Sequence, residues 1–247
     1  MLWTENRKMG GEPLTFLGRG AAFNPTEGNT AAYIREEDRL LLLDCGETVF
    51  ERLISREVLT GLKEIHIAIS HTHSDHCGSL GSLVFYCFFA LEIKAHIVLP
   101  ADEPDYADSV RLLLKQFGIP DAYYVCEVPS EVTGFRAISS FRFVKTVHDP
   151  HLTCFSFELE TPEGGVFYSA DTCRTDELTA FLESHDQIAA IYMEATEFSA
   201  PGNIHLSLDC LRAALPEAAM EKTHLMHLSS KGCMEKAMNI GFMIVDV

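Results

Sequence analysis

The 247-residue chain reads as an α/β protein in which two sheets face each other and helices cover the outside. Three observations support that class. Apolar residues make up 47% of the sequence, enough to bury a sizeable core. Short β-branched and aromatic runs alternate with longer helical patterns, so neither an all-α nor an all-β chain fits. The alternation also occurs twice, each half being a set of strands followed by helices, with no low-complexity linker and no clean repeat. Residues 1–247 are therefore taken as a single domain.

The elements follow in order. "LTFLGRG", "TAAYI", "RLLLLDCG" and "IHIAIS" read as strands, punctuated by Gly, Pro and Asn. Residues 79–93 read as an apolar helix and "AHIVLP" as the next strand. "EPDYADSVRLLLKQFG" carries Pro104 near its start and Gly118 at its end, the punctuation of a helix. The second series has strands "AYYVCEV", "FRFVKTV", "CFSFELE" and "GVFYSAD", then the helix "TDELTAFLESH". The strand "IAAIYMEA", the helix "LSLDCLRAALP", the strand "THLMHLS", a short helix around 231–238 and a last strand, "GFMIVDV", complete it.

Composition narrows the function classes. No apolar run is long enough to span a bilayer; the longest, "LVFYCFFALEI", meets charge at Glu92 and Lys94. The opening "MLWTENRKMGGEPL" lacks the apolar segment and small-residue cleavage site of a secretory signal. Eight cysteines are scattered without a CxxC pair, as free thiols in a reducing compartment would be. A cytoplasmic location without membrane contact is the expectation. The 36 acidic residues outnumber 19 basic ones, a formal charge of −17, which disfavours nonspecific binding to nucleic acid and is partly offset if cations bind.

The chemistry concentrates in "IHIAISHTHSDHCGSL". An apolar strand stops, and His71, His73, Asp75 and His76 follow within one short turn. Imidazole nitrogens and carboxylate oxygens suit a borderline divalent metal such as zinc. Residues two apart in an extended segment point the same way, so His71 and His73 can grip one ion. Asp75 and His76, beyond the strand end, can reach a second. Four ligands are too few for two ions, and later strand ends offer more: His148 and His151 in "VKTVHDPH", Asp171 in "FYSADTC" and His227 in "THLMHLSS". A carboxylate between two metals can bridge them, and Asp171 is the natural bridge. By contrast, His66, His96 and His224 lie within strands and His185 ends a helix, so packing or surface roles are expected of them.

The series HxHxDH at 71–76 followed by His148, Asp171 and His227 resembles the metallo-β-lactamase superfamily over nearly the whole chain. That resemblance implies a four-layer αββα sandwich of two facing mixed sheets, with a dinuclear site at one edge. It implies His71, His73 and His148 on the first metal, Asp75, His76 and His227 on the second, and Asp171 as the bridge. His151 is the alternative to His148, because spacing in that loop varies. Zinc is the commonest metal of the superfamily, with manganese and iron as alternatives.

A narrower resemblance is to the ribonuclease Z and small-phosphodiesterase branch. "LTFLGRGAAFNPTEGNTAAYI" is similar to its opening pattern, and "IYMEATEFSAPGNIHLSLDCL" to its Glu-Ala-Thr and His-Ser/Thr segments. Glu194, Ala195 and Thr196 match the first of these and His205 the second, with Leu206 where a small residue is more usual. The resemblance implies that His205 protonates the leaving oxygen of a phosphodiester, that Glu194 orients it, and that Asp75 helps orient the attacking hydroxide.

Two departures matter. Ribonuclease Z enzymes carry a tRNA-gripping arm between the strand-end His and the bridging Asp, yet positions 148 to 171 leave room only for a hairpin. Their Pro-x-Lys-x-Arg-Asn loop has no match either. The expected substrate is thus a small phosphodiester or short nucleotide rather than precursor tRNA. Thioester, lactone or β-lactam hydrolysis, and a metal-binding or regulatory module without turnover, are the rival readings. A homodimer is left open.

Overall fold

The computed structural model describes residues 12–247. Residues 1–11, on which most of the secretory-signal expectation rests, lie outside the described residues. The first half comprises β1 (Thr15–Gly18), β2 (Ala31–Glu36), β3 (Arg39–Leu43), α1 (Val49–Ser55), β4 (Glu64–Ala68), α2 (Ser74–Cys77), α3 (Leu80–Phe89), β5 (Ala95–Val98), α4 (Pro104–Gln116) and β6 (Tyr124–Glu127). The second comprises β7 (Ser140–Thr146), β8 (Cys154–Thr161), β9 (Gly164–Tyr168), α5 (Asp176–Ser184), β10 (Ile188–Glu194), α6 (Leu208–Ala214), α7 (Glu217–Met220), β11 (Thr223–Met226), α8 (Lys231–Ile240) and β12 (Met243–Ile244).

The strands form two six-stranded sheets, ordered β1-β2-β3-β4-β5-β6 and β12-β11-β10-β9-β8-β7. Both are mixed. β1 to β3 pair antiparallel and β3 to β6 parallel. β7 to β9 pair antiparallel and β9 to β12 parallel. Strand alternation sorts the side chains into three apolar layers. Leu40, Leu42, Ile65 and Ile67 pack outward against Leu53, Val84 and Leu114 of the first set of helices. Leu41, Leu43 and Val98 face Val166, Tyr168 and Tyr192 across the space between the sheets. Phe167, Ile191 and Met193 pack outward against Phe181, Leu211 and Ala237 of the second set. The result is the αββα sandwich, and burying each such side chain contributes about 1.5–3 kcal/mol.

The structure adds to the sequence pattern at three short helices, α1, α2 and α7, none longer than two turns. Such segments are too brief to show a 3.6-residue period; α1 buries only Val49 and Leu53. The helix expected over 79–93 ends at Phe89, before Glu92 takes a left-handed backbone (φ 57°) that an α-helix does not accommodate.

This topology fixes where chemistry can occur. β7, β9, β10 and β11 run the same way, so their C-terminal ends share one edge of the second sheet. The C-terminal ends of the parallel pair β3 and β4 share one edge of the first.

Candidate active site

Every candidate ligand follows a strand end. Beyond β4 the chain runs through Ser70 and His71 to His73, which is extended (φ −65°, ψ 150°) and begins the single turn of α2 carrying Asp75 and His76. Gly46 permits this turn to lie against the end of β3, since a Cβ there would sit 1.9 Å from the Asp75 carbonyl oxygen. His148 follows β7, Asp171 follows β9, Glu194 ends β10 and His227 follows β11. His227 takes a left-handed backbone (φ 52°), held by the hydroxyl of Thr30, which accepts from its N–H at 3.0 Å.

The side chains converge in two groups sharing Asp171. In the first, His73 Nδ1 lies 3.0 Å from His71 Nε2 and 3.3 Å from His148 Nε2. Asp171 Oδ2 faces this group, 3.5 Å from His148 Nε2 and 3.9 Å from His71 Nε2. In the second, His227 Nε2 lies 3.2 Å from Asp75 Oδ2, and His76 Nε2 lies 3.5 Å from the same oxygen. The other Asp171 oxygen, Oδ1, faces this group, 3.1 Å from His76 Nε2 and 3.3 Å from His227 Nε2. One carboxylate thus turns one oxygen to each group, the geometry a bridge needs. Asp149 is the nearest carboxylate to the far nitrogen of His73, at 3.7 Å. His151, the alternative to His148, is exposed and donates its backbone N–H to Asp149 at 2.7 Å.

The hydrogen bonds behind these rings decide which nitrogen is free. His148 Nδ1 donates to the Ile204 carbonyl at 2.7 Å, and His76 Nδ1 donates to Asp44 at 2.9 Å. Ser70 Oγ donates to Asp44 at 3.0 Å and so accepts from His71 Nδ1, also at 3.0 Å. Each ring is thereby left with Nε2 facing the cage, the nitrogen that would take a metal ion. Among the described residues, the buried atoms His76 Nε2 and Asp171 Oδ1 have no hydrogen-bond partner, although each is close to other ligand atoms. Buried polar atoms are seldom left so. A divalent cation in each group would satisfy them, and the donor set fits such a pair.

The carboxylates and imidazoles of the cage shift one another's pKa values. Burial favours a neutral Asp171, but the His227 and His76 charges outweigh it and hold the carboxyl well below the usual carboxylate range. Burial likewise opposes a charged His227, yet Asp171, Asp75 and Glu194 push it up to about 10. Burial and the nearby His76 hold His71 well below its ordinary value.

Asp44 and Ser70 are positioning residues that the sequence did not single out. Asp44 is fully buried and takes a left-handed backbone (φ 66°), which lets it accept from the Ser70 N–H at 2.7 Å as well as from His76. Its only sequence signal is the acid ending "RLLLLD". Asp44→Asn keeps the size and tolerates the backbone, but turns an amide toward one of its three donors. Metal affinity is expected to fall roughly 10–100-fold, measured by competition with a chelator; unchanged affinity would remove Asp44 from the cage's support.

Against the cage stands a further pair, His205 and Glu194, with His205 Nδ1 3.9 Å from Asp171 Oδ2 and Glu194 Oε2 3.7 Å from His227 Nδ1. His205 Nδ1 donates to Glu194 Oε2 at 2.8 Å, while the Thr172 N–H donates to Glu194 Oε1. The loop that carries His205 is pinned by Thr196, whose N–H donates to Leu206 at 2.9 Å and whose carbonyl accepts from Leu208 at 3.0 Å. Burial disfavours charge on His205, but the Glu194 bond and charge outweigh it and raise its pKa. His205 lines a cavity of about 620 Å3 together with His73, Asp75, His148, Asp171 and His227. Phe23 and Phe198, both well exposed, stand at its rim, and no Lys or Arg lines it among the described residues.

The fold and the histidine–aspartate cage define a metallo-β-lactamase-fold protein. The fold of YhfI from Bacillus subtilis, a metallo-β-lactamase-fold protein, superposes with a TM-score of 0.69 at 21% identity, covering 92% of each chain. Human tRNase Z, short form, superposes with a TM-score of 0.61 at 21% identity, covering 88% of this chain and 93% of that one. Within that class, residues 13–245 match the family described as Anti-Pycsar protein Apyc1, and the chain belongs to it. The Anti-Pycsar protein Apyc1 of Bacillus phage vB_BsuM-Goe3 is 28% identical over 236 residues, covering 87% of this chain and 88% of that one. The superfamily and the ribonuclease Z likeness were legible in the sequence motifs; this particular family was not.

Proposed function

We propose that this chain is a metal-dependent hydrolase of small phosphodiesters, cyclic nucleotides among them. What supports the proposal is the His205–Glu194 pair, hydrogen-bonded at 2.8 Å, beside two histidine–aspartate groups that could each hold a cation. His71, His73 and His148 would hold one ion, Asp75, His76 and His227 the other, with Asp171 between them and zinc the metal best suited to the donor set. Bound there, two divalent ions supply an activated water and neutralise charge on a phosphoryl group.

The chain's own residues do the rest. Asp75 would orient the attacking oxygen as well as serve as a ligand. Glu194 holds His205 by Nδ1, which leaves Nε2 to face the cavity and protonate the departing alkoxide, a poor leaving group without a proton. Phe23 and Phe198 offer planar apolar surface at the rim, suited to a nucleobase.

Size and charge argue for a small substrate. The cavity falls within the range of small-molecule sites, roughly 300–1,000 Å3. Between His148 and Asp171 the chain forms only the β8–β9 hairpin, and among the described residues the cavity lining offers none of the Lys or Arg contacts that grip a nucleic-acid backbone. The metal-loaded protein is expected to hydrolyse a cyclic or aryl nucleotide ester and to leave precursor tRNA essentially uncut at physiological salt. A panel adding a phosphomonoester, a thioester and a lactone checks this. Efficient tRNA trimming would overturn the substrate size, and turnover of the thioester or lactone alone would overturn the phosphodiesterase assignment.

A further inference from the structure

A second group of metal-ligating side chains lies on the first sheet, away from the cage. His66 on β4 and His96 on β5 are register partners with ring centres 5.0 Å apart, and Glu127 ends the neighbouring edge strand β6. At ~3.3 Å per residue, His66 sits on the order of 15 Å from His71 along the chain. Both imidazoles turn Nδ1 to the same carboxylate: His96 Nδ1 lies 2.9 Å from Glu127 Oε2, and His66 Nδ1 is paired with Glu127 Oε1. One ligand atom from each of the three residues falls within 4.8 Å of the others.

The far side of His66 is informative. Its Nε2 lies 2.9 Å from Glu64 Oε1, and the other Glu64 oxygen is 3.4 Å from Arg39 Nε. His66 is 1% exposed and Phe135 packs edge-on against it, with ring centres 5.7 Å apart. With a metal on Nδ1, the ring needs only the Nε2 proton it gives to Glu64, and a carboxylate behind a metal-bound imidazole is a recurrent support.

We propose that His66, His96 and Glu127 form a third, mononuclear site for a zinc-like divalent cation. Two nitrogens and a carboxylate suit zinc, and the half-buried His96 leaves a fourth position open to water. The site ties β4, β5 and the four-residue edge strand β6 together by side chains as well as by their backbone ladder. It lies outside the phosphodiesterase proposal and stands or falls separately.

The test is zinc stoichiometry on the full chain, stripped with chelator, dialysed against a zinc series and read by elemental analysis. His96→Ala is expected to saturate with about one equivalent fewer than wild type, as is His96→Gln, the milder change should the first fold poorly. Zinc should raise the melting temperature of an Asp171→Ala protein, and that rise should disappear when His96→Ala is added. Phosphodiester turnover should be unchanged in the His96 variants. Equal stoichiometry in wild type and both His96 variants would overturn the proposal, leaving a proton-sharing network.

Discussion

Asp171→Ala should lose the paired metals and hydrolytic activity together while the fold survives. Both consequences follow from position. Among the described residues, Asp171 alone turns its two oxygens to the two ligand groups separately, one near His71 and His148, the other near His76 and His227. Removing it withdraws an anionic ligand from both groups and leaves the imidazole nitrogens crowded around an uncharged gap. The three apolar layers do not depend on it, since none of their side chains is altered. Bound metal is expected to fall by about two equivalents relative to wild type. The loss of several kcal/mol of metal catalysis corresponds to a rate reduction of at least about a thousandfold. Elemental analysis beside circular dichroism checks it. Full retention of the paired metals in the variant would remove Asp171 from the bridging position.

Legibility in the sequence divided along a physical line. Strands with apolar residues on both faces, such as "RLLLL" and "IHIAI", announce burial between two layers, and the sandwich places them there. The convergence of the cage residues was also legible, because each lies just beyond a strand end or in the turn that follows one and carries an uncommon side chain for that place. What could not be read depends on contacts between distant segments or on backbone shape. Asp44 looks like an ordinary strand-end acid until its left-handed backbone turns it under both His76 and Ser70. The grouping of His66 with His96 and Glu127 requires knowing that three strands are neighbours in register. Read singly, the two histidines suggest packing roles. Segments as short as α1 and α2 bury too few residues to leave a periodic trace.

His205→Ala should keep the metals and lose the proton donor. His205 is bonded to Glu194 and contributes to neither of the two groups that hold the proposed metal pair, so metal content is expected to match wild type. A diester with a poor alkoxide leaving group needs that proton and should slow by roughly a hundredfold or more. A nitrophenolate departs with little help, and its ester should slow far less. Glu194→Gln should give the same pattern in weaker form. The Glu194 hydrogen bond and charge raise the His205 pKa against burial, so their loss lets the imidazole deprotonate at lower pH, and the alkaline limb of the rate profile should move down. The central claim, a proton donor built beside a two-metal cage, is tested most directly by one measurement: the rate ratio of wild type to His205→Ala on an alkyl-leaving and a nitrophenyl-leaving phosphodiester, at equal metal content. A ratio much larger for the alkyl ester is expected; equal ratios on the two would contradict the claim.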